Sequence, residues 1–266
     1  MSVWSFARST IFNAASPACA WRHPLQASRL VFGALGNATA TAGERVLRGG
    51  PQVCPVCGWR GRRFRAFLSA DEVIPRCICP GCGSFDRQRL LAVALRRELG
   101  RAGRPRGPLL AFAQPGCMHE FLAREGVGRC FRADYERGPF GVEFLADLRV
   151  AGIAGGSIDW LFCSHVLEHV AELDACLDEM VRIRRPGGIA WIQVPQEPGL
   201  EVSRRLPIHP YRAHAHAWQF GSDFATRLAR AEWKVTQVAA VDIADPGEAR
   251  EWGISADDRY WRLARL

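Results

Sequence analysis

The sequence contains no long apolar segment and almost no lysine. No uncharged apolar stretch reaches the roughly 18 residues of a transmembrane helix. Residues 1–50 lack both a clean apolar segment and a small-residue cleavage site, which argues against a secretory signal. Lys234 is the only lysine, so arginine supplies nearly all of the positive charge. With 48% hydrophobic and 23% charged residues, the composition is that of a soluble globular protein.

The first 50 residues also lack acidic residues before Glu44, although they contain five arginines. This composition resembles a transit peptide, and it also suits a disordered leader or a start codon placed too early. We predict a basic, disordered leader over residues 1–50 and leave it out of the fold prediction.

Positive charge is concentrated in the first part of the chain. Residues 1–106 contain 17 arginines and 5 acidic residues, a net charge of +12, whereas residues 107–266 have a net charge of −4. This asymmetry predicts two units with different surfaces. The basic unit is either a surface for a polyanion such as RNA or an ordinary solvated surface, and composition alone does not separate these alternatives.

Four of the ten cysteines form two CPxCG motifs, CPVCG at 54–58 and CPGCG at 79–83. Each motif is a tight turn that directs two thiolates to one point, and a second turn about twenty residues further on completes a tetrahedron. The spacing predicts a structural zinc site, with Cys77 as an alternative to Cys79. This use of cysteine also indicates a reducing compartment, so we predict a cytoplasmic location. The predicted ligands are Cys54, Cys57, Cys79 and Cys82.

From residue 108 onward, short apolar segments alternate with helical ones. Helices are predicted at 171–184 and 222–232, and an amphipathic helix precedes them at 87–99. This alternation predicts an α/β fold with a mostly parallel sheet covered by helices on both faces. The predicted strands are 109–113, 130–133, 142–145, 159–163, 190–194, 234–238 and 260–264.

These patterns divide the chain after the leader into three parts. Residues 51–84 are predicted to form a zinc ribbon, and residues 85–106 a connecting helix and linker. Residues 107–266 are predicted to form the α/β domain.

The segment DWLFCSHVLEH at 159–169 places polar residues where a ligand is expected. Ser164 and His165 fall at the carboxyl end of an apolar strand, the edge at which open parallel sheets bind ligands. HVLEH also matches the H-x-x-E-H pattern of inverted zinc peptidases. That pattern needs both histidines on one helix, whereas His165 ends a predicted strand, so a peptidase is not supported.

The order of Asp159, HVLEHV, Glu179, Arg182 and PGG resembles class I S-adenosylmethionine-dependent methyltransferases of the type 11-like group. Together with CPGCGSFDRQRLL at 79–91, it resembles a bacterial family in which a zinc ribbon of the form CPxCGSxxRxR precedes the methyltransferase domain. The resemblance covers residues 51–266. It implies a Rossmann-like sheet of seven strands and S-adenosylmethionine as the cofactor.

The resemblance also implies roles for residues at the strand ends. Asp134 is expected to accept hydrogen bonds from the ribose hydroxyls of the cofactor. Asp147 and Leu148 are expected to face the adenine amino group. Ser164 and His165 are expected to border the methyl-transfer pocket, with His165 as the catalytic candidate.

The loop after the first strand lacks the usual glycines. AQPGCMHE at 113–120 contains only Gly116, whereas the family that this chain resembles commonly has Ala-Pro-Glu here. Ala113, Pro115 and Gly116 are the expected cofactor contacts in this loop. The departure leaves open a degenerate, non-catalytic methyltransferase fold.

The sequence leaves the methyl acceptor open, because the sulfonium is already activated and alignment supplies much of the rate. A base is needed only if the acceptor must lose its proton early. An oxygen or nitrogen of a small molecule or glycan is expected, and RNA, bound through the basic N-terminal half, is the alternative. A zinc-ribbon nucleic-acid-binding protein is the competing class without catalysis. No pattern predicts the oligomeric state.

Overall fold

The computed structural model forms two compact units. Among the described residues, the first contains residues between 49 and 93 and residues 244–258, and the second contains residues between 94 and 243 and residues 259–265. The predicted leader lies outside the described residues except for its last two positions. No helix within the described ranges is both long and apolar enough to cross a membrane. The structure describes residues 49–68, 73–137, 141–207, 216–229 and 233–265.

The described residues form thirteen strands, six α-helices and one short 3-10 helix at Leu167–His169. The strands are β1 (Gln52–Val53), β2 (Arg60–Gly61), β3 (Arg65–Leu68), β4 (Val73–Ile78), β5 (Leu109–Phe112), β6 (Cys130–Asp134), β7 (Phe144–Leu145), β8 (Ile158–Ser164), β9 (Arg184–Gln193), β10 (Arg204–Arg205), β11 (Trp218–Gln219), β12 (Trp233–Ala239) and β13 (Arg259–Arg265). The helices are α1 (Asp86–Ala102), α2 (Gly116–Arg124), α3 (Leu173–Ile183), α4 (Phe224–Leu228), α5 (Ala240–Ile243) and α6 (Pro246–Trp252).

The first unit consists of two antiparallel strand pairs, the start of α1, and α6. β1 pairs with β2, and β3 pairs with β4. Arg89 of α1 is fully buried, and its guanidinium lies 4.0 Å from the centroid of the Phe64 ring. The same guanidinium donates hydrogen bonds to the carbonyls of Cys77, Ser84 and Gly253. The buried guanidinium of Arg89 therefore links α1 to the residues on either side of the second CPxCG turn and to the end of α6.

The second unit is built on a seven-stranded sheet with the order β12-β13-β9-β8-β5-β6-β7. β7, β6, β5, β8 and β9 are parallel, while β13 runs antiparallel to both of its neighbours. Every predicted strand segment contributes to this sheet. The predicted α/β fold with a Rossmann-like sheet of seven strands is confirmed.

The centre of the sheet is apolar because helices cover it. Every residue of β5 is buried, and so is every residue of β8 before Ser164. α3 buries Leu173, Leu177 and Met180 at helical spacing, which explains its amphipathic pattern. Strands covered on both faces read as continuous apolar runs, as β5 and β8 do.

β9 begins at Arg184, earlier than the strand predicted at 190–194. Its pairing with β8 shifts between Ile158 and Trp160, so that residues near Gly188 bulge out of register. A Cβ atom at Gly188 would lie 2.5 Å from the carbonyl oxygen of Asp159, so this close approach of the two backbones requires glycine. α4 is also shorter than the helix predicted at 222–232, and residues 230–232 lie outside the described part of the chain.

Candidate functional site

The parallel strands place their polar end residues along one edge of the sheet. The registers of β5 with β6 and β8 put Ala113, Asp134 and Ser164 next to one another. Asp134 in turn pairs with Leu145 at the end of β7, and Asp147 follows two residues later. The structure therefore brings the residues of the predicted cofactor site to a common edge.

Two residues at this edge adopt a left-handed backbone. Ala113 has a φ of 51° and His165 a φ of 55°. This conformation costs a residue other than glycine roughly 1–2 kcal/mol. Such strain concentrates at functional sites, where the surrounding structure holds it in place. Here it turns the chain sharply at the carboxyl ends of β5 and β8.

Asp134 keeps part of its carboxylate available. One oxygen, Oδ1, accepts a hydrogen bond from the backbone N–H of Tyr135 at 2.7 Å. Within the described ranges, Asp134 takes part in no ion pair. The side chain is half-buried at the end of β6. A carboxylate so placed offers the acceptors that the two hydroxyls of a ribose require.

Asp147 is instead held by an arginine. Its two oxygens lie 2.6–3.0 Å from the guanidinium nitrogens of Arg149. Hydrogen bonding to Arg149 lowers the pKa of the Asp147 carboxyl. The neighbouring Leu148 has its side chain in the core. Any contact of Asp147 with an adenine amino group must therefore be made beside this ion pair.

The loop after β5 combines a buried amide with an unobstructed glycine. Gln114, which was not among the predicted site residues, is buried, and its side-chain nitrogen has no partner within the described ranges. Pro115 precedes α2, and Gly116 begins it. A Cβ at Gly116 would come no closer than 3.9 Å to a side chain, that of Arg132. The packing of the protein itself therefore does not require glycine at this position.

A Gly116→Ala variant tests whether a ligand requires this glycine. The free energy of unfolding is expected to stay the same or rise by up to about 1 kcal/mol, because the position is helical and open. The affinity for S-adenosylmethionine is expected to fall if the cofactor approaches the backbone here. Thermal melting and isothermal titration measure the two effects separately. Unchanged affinity would place the cofactor away from this loop.

Ser164 and His165 are tied to the neighbouring strand β9. The hydroxyl of Ser164 donates to Oε1 of Gln193 at 3.0 Å, and the backbone N–H of His165 donates to the Gln193 carbonyl at 2.8 Å. The side-chain nitrogen of Gln193 is buried without a partner in the described residues. Gln193 was not predicted, because a single glutamine at the end of an apolar strand gives no signal in the sequence.

His165 lies beside a buried carboxylate. Its Nδ1 is 3.1 Å from Oε1 of Glu168, an ion pair when the ring is protonated. The His165 side chain is 29% exposed, whereas that of Glu168 is 1% exposed. The 3-10 helix at 167–169 places Glu168 inward and His169 outward. The HVLEH segment thus forms a partly open histidine backed by a carboxylate.

The four cysteines of the CPxCG motifs converge in the first unit. Their sulfur atoms all lie within 4.8 Å of one another, and the Cys54–Cys82 and Cys57–Cys79 pairs are 3.8 and 3.7 Å apart. A tetrahedron with zinc–sulfur bonds of about 2.3 Å has edges of about 3.8 Å. Hydrogen bonding to Cys54 raises the pKa of the Cys57 and Cys79 thiols, as expected when sulfur atoms share a small space. The donor set and its dimensions fit a zinc ion.

Cys77 is not part of this cluster. Its thiol donates to Asp86 at 3.6 Å, and burial raises its pKa to about 12. Ser84 instead contacts the cluster, because its hydroxyl lies 3.4 Å from the sulfur of Cys54 and 3.2 Å from that of Cys82. The geometry therefore favours Cys79 over Cys77, the alternative that spacing left open.

Comparison with known proteins gives one family match. Residues 118–192 match the family model described as a methyltransferase domain. No curated protein matches the sequence. The match spans α2 to β9, the part of the sheet that carries Asp134, Asp147, Ser164 and His165.

Solved structures with similar folds include several methyltransferases. Burkholderia thailandensis 1,6-didemethyltoxoflavin-N1-methyltransferase is 18% identical, with 68% of this chain and 77% of that chain covered and a TM-score of 0.45. A Pyrococcus horikoshii protein is 15% identical, with coverages of 67% and 90% and a TM-score of 0.46. A SAM-dependent methyltransferase from Archaeoglobus fulgidus is 13% identical, with coverages of 68% and 94% and a TM-score of 0.41.

The family match lies within a seven-stranded sheet of the Rossmann-like methyltransferase fold.

Proposed function

We propose that this chain is a SAM-dependent methyltransferase that modifies an oxygen or nitrogen of a small molecule or glycan. The observation that carries the proposal is the partly exposed His165, held at the carboxyl end of β8 and backed by Glu168. The proposed cofactor site is the same edge: Ala113, Pro115, Gly116, Asp134, Asp147, Leu148 and Ser164.

His165 has the chemistry of a general base for a hydroxyl acceptor. When bound, S-adenosylmethionine supplies an activated methyl group. The imidazole takes the proton of the acceptor, and the nearby Glu168 carboxylate stabilises the imidazolium that results. Ser164 and the strained turn at His165 hold the ring at the sheet edge. Positioning then supplies the remainder of the rate.

A His165→Ala variant separates these roles when cofactor affinity and turnover are measured independently. Turnover is expected to fall by about 100-fold or more, the usual contribution of a positioned base, while cofactor affinity stays within a few-fold. The isosteric Ser164→Ala change serves as a comparison that keeps the imidazole. Full turnover without His165 would remove it from the mechanism and leave alignment alone. Failure of the wild-type chain to bind S-adenosylmethionine would instead support a non-catalytic fold.

We also propose that residues 51–84 form a zinc ribbon with Cys54, Cys57, Cys79 and Cys82 as ligands. All four tetrahedral positions are filled by protein, so the ion is structural. Residues 85–106 connect this ribbon to the methyltransferase domain at 107–266.

RNA is the second candidate acceptor, favoured by the exposed Arg60, Arg62 and Arg63 of the ribbon. The same compact unit also contains residues 244–258, which include five acidic residues and one arginine. Its described surface is therefore mixed in charge, which favours an uncharged or small acceptor. Steeply salt-dependent binding of single-stranded RNA would reverse this preference.

A further inference from the structure

Three potential metal ligands lie close together near the carboxyl end of β8. Glu168 and His169 end the 3-10 helix, and His216 comes from a separate segment just before β11. One ligand atom from each side chain lies within 4.8 Å of the other two. The rings of His169 and His216 have their centroids 4.9 Å apart at an angle of 74°.

The carboxylate of this cluster is buried and poorly satisfied. Glu168 has no exposed surface, and neither of its oxygens accepts a hydrogen bond from the described residues. His165 Nδ1 approaches Oε1 at 3.1 Å, although not with the alignment of a hydrogen bond. An ionised carboxylate out of contact with water is costly unless a cation compensates it. A positive charge near the second oxygen would meet that requirement.

The backbone holds the two segments of the cluster together. The N–H of Ala217 donates to the carbonyl of Glu168 at 2.6 Å, one residue from each histidine. The indole N–H of Trp218 donates to the carbonyl of Ala171 at 3.3 Å. These bonds fix the approach of His216 to His169 before any ligand arrives, which lowers the cost of assembling a site.

We propose that Glu168, His169 and His216 bind a divalent transition-metal ion, distinct from the ion of the cysteine cluster. One carboxylate and two imidazoles are a donor set that suits zinc and related first-row metals. Metal–ligand bonds of about 2.0–2.1 Å require donor atoms about 3.3 Å apart, so the three donors, which lie within 4.8 Å of one another, would draw closer around the ion. His169 and His216 are exposed, so the ion enters from solvent.

Three protein ligands leave coordination positions open. Water or an oxygen of the methyl acceptor is able to occupy them, and a bound metal lowers the pKa of such a hydroxyl. The binding of the ion itself does not depend on methyl transfer. It is therefore measured without cofactor or acceptor.

The test is a titration of the full-length chain with zinc chloride, after dialysis that leaves only tightly bound zinc. The wild type is expected to bind one further zinc per chain, and bound zinc is expected to raise its Tm. His216→Ala is expected to weaken this binding by more than about 100-fold, because loss of even an outer partner costs 10–100-fold. The matched control His165→Ala, on the same loop, is expected to stay within a few-fold of the wild type.

Three results would overturn the proposal. The first is that the wild type binds no zinc beyond the cysteine cluster. The second is that His216→Ala binds zinc as the wild type does. The third is that only His165→Ala loses zinc binding. Because His169 is also exposed, His169→Ala is a second variant expected to keep the fold, and circular dichroism confirms the fold of each variant. A chain that binds this zinc but lacks methyl transfer contradicts the proposed function while supporting the metal site.

Discussion

Replacing Cys57 with serine is expected to abolish zinc binding at the cysteine cluster and to unfold the ribbon. A unit of this size buries too little apolar surface to fold without a metal or another cross-link. In small zinc domains, the binding energy of the ion, about 10–16 kcal/mol at neutral pH, is also folding energy. Elemental analysis should show loss of this zinc. Hydrogen exchange should show loss of protection over residues 51–84, with protection retained in the seven-stranded sheet.

The matched control for this prediction is Cys77→Ser. Cys77 contacts Asp86 rather than the other sulfur atoms, so this variant is expected to retain its zinc. Loss of zinc from Cys77→Ser together with its retention in Cys79→Ser would reverse the assignment of ligands. Wild-type protein purified without chelator but containing well under one zinc per chain would contradict the site itself.

Asp134→Ala is expected to weaken S-adenosylmethionine binding by roughly 10- to 150-fold. This range follows from hydrogen bonds to a charged group, which contribute about 1.5–3 kcal/mol. Asp134 has the position for this role, because it ends β6 between the ends of β5 and β7. Isothermal titration measures the affinity, and thermal melting shows whether the fold is retained.

Two further carboxylates serve as comparisons for Asp134. Asp178→Ala removes an exposed carboxylate from α3 and is expected to leave the affinity unchanged. Asp147→Ala removes the ion pair with Arg149 as well as any contact with adenine. Its affinity for S-adenosylmethionine is therefore interpreted together with its Tm. If Asp134→Ala binds the cofactor as tightly as the wild type, another group holds the ribose.

Much of the fold is predictable from the sequence because the patterns that indicate it span only a few neighbouring residues. A CPxCG turn needs only a few residues to direct two sulfur atoms to one point, so the four cysteines are identifiable from their spacing alone. Buried strands such as β5 and β8 read as apolar runs, since both faces are covered. Polar residues directly after such strands, Asp134 and Ser164 among them, are then assigned to the ligand-binding edge of a parallel sheet.

The remaining features depend on contacts between distant segments, which local patterns do not encode. His216 reaches His169 because β11 packs beside the 3-10 helix, and the sequence of neither segment predicts this contact. Arg149 pairs with Asp147 and also with Glu172, 23 residues further along the chain, and the local sequence does not reveal this second contact. Arg89 looks like one of many surface arginines, yet it is buried against Phe64 and three carbonyls. Turn and strand propensities act over a few residues, whereas burial and pairing of charges arise only when the whole chain has packed.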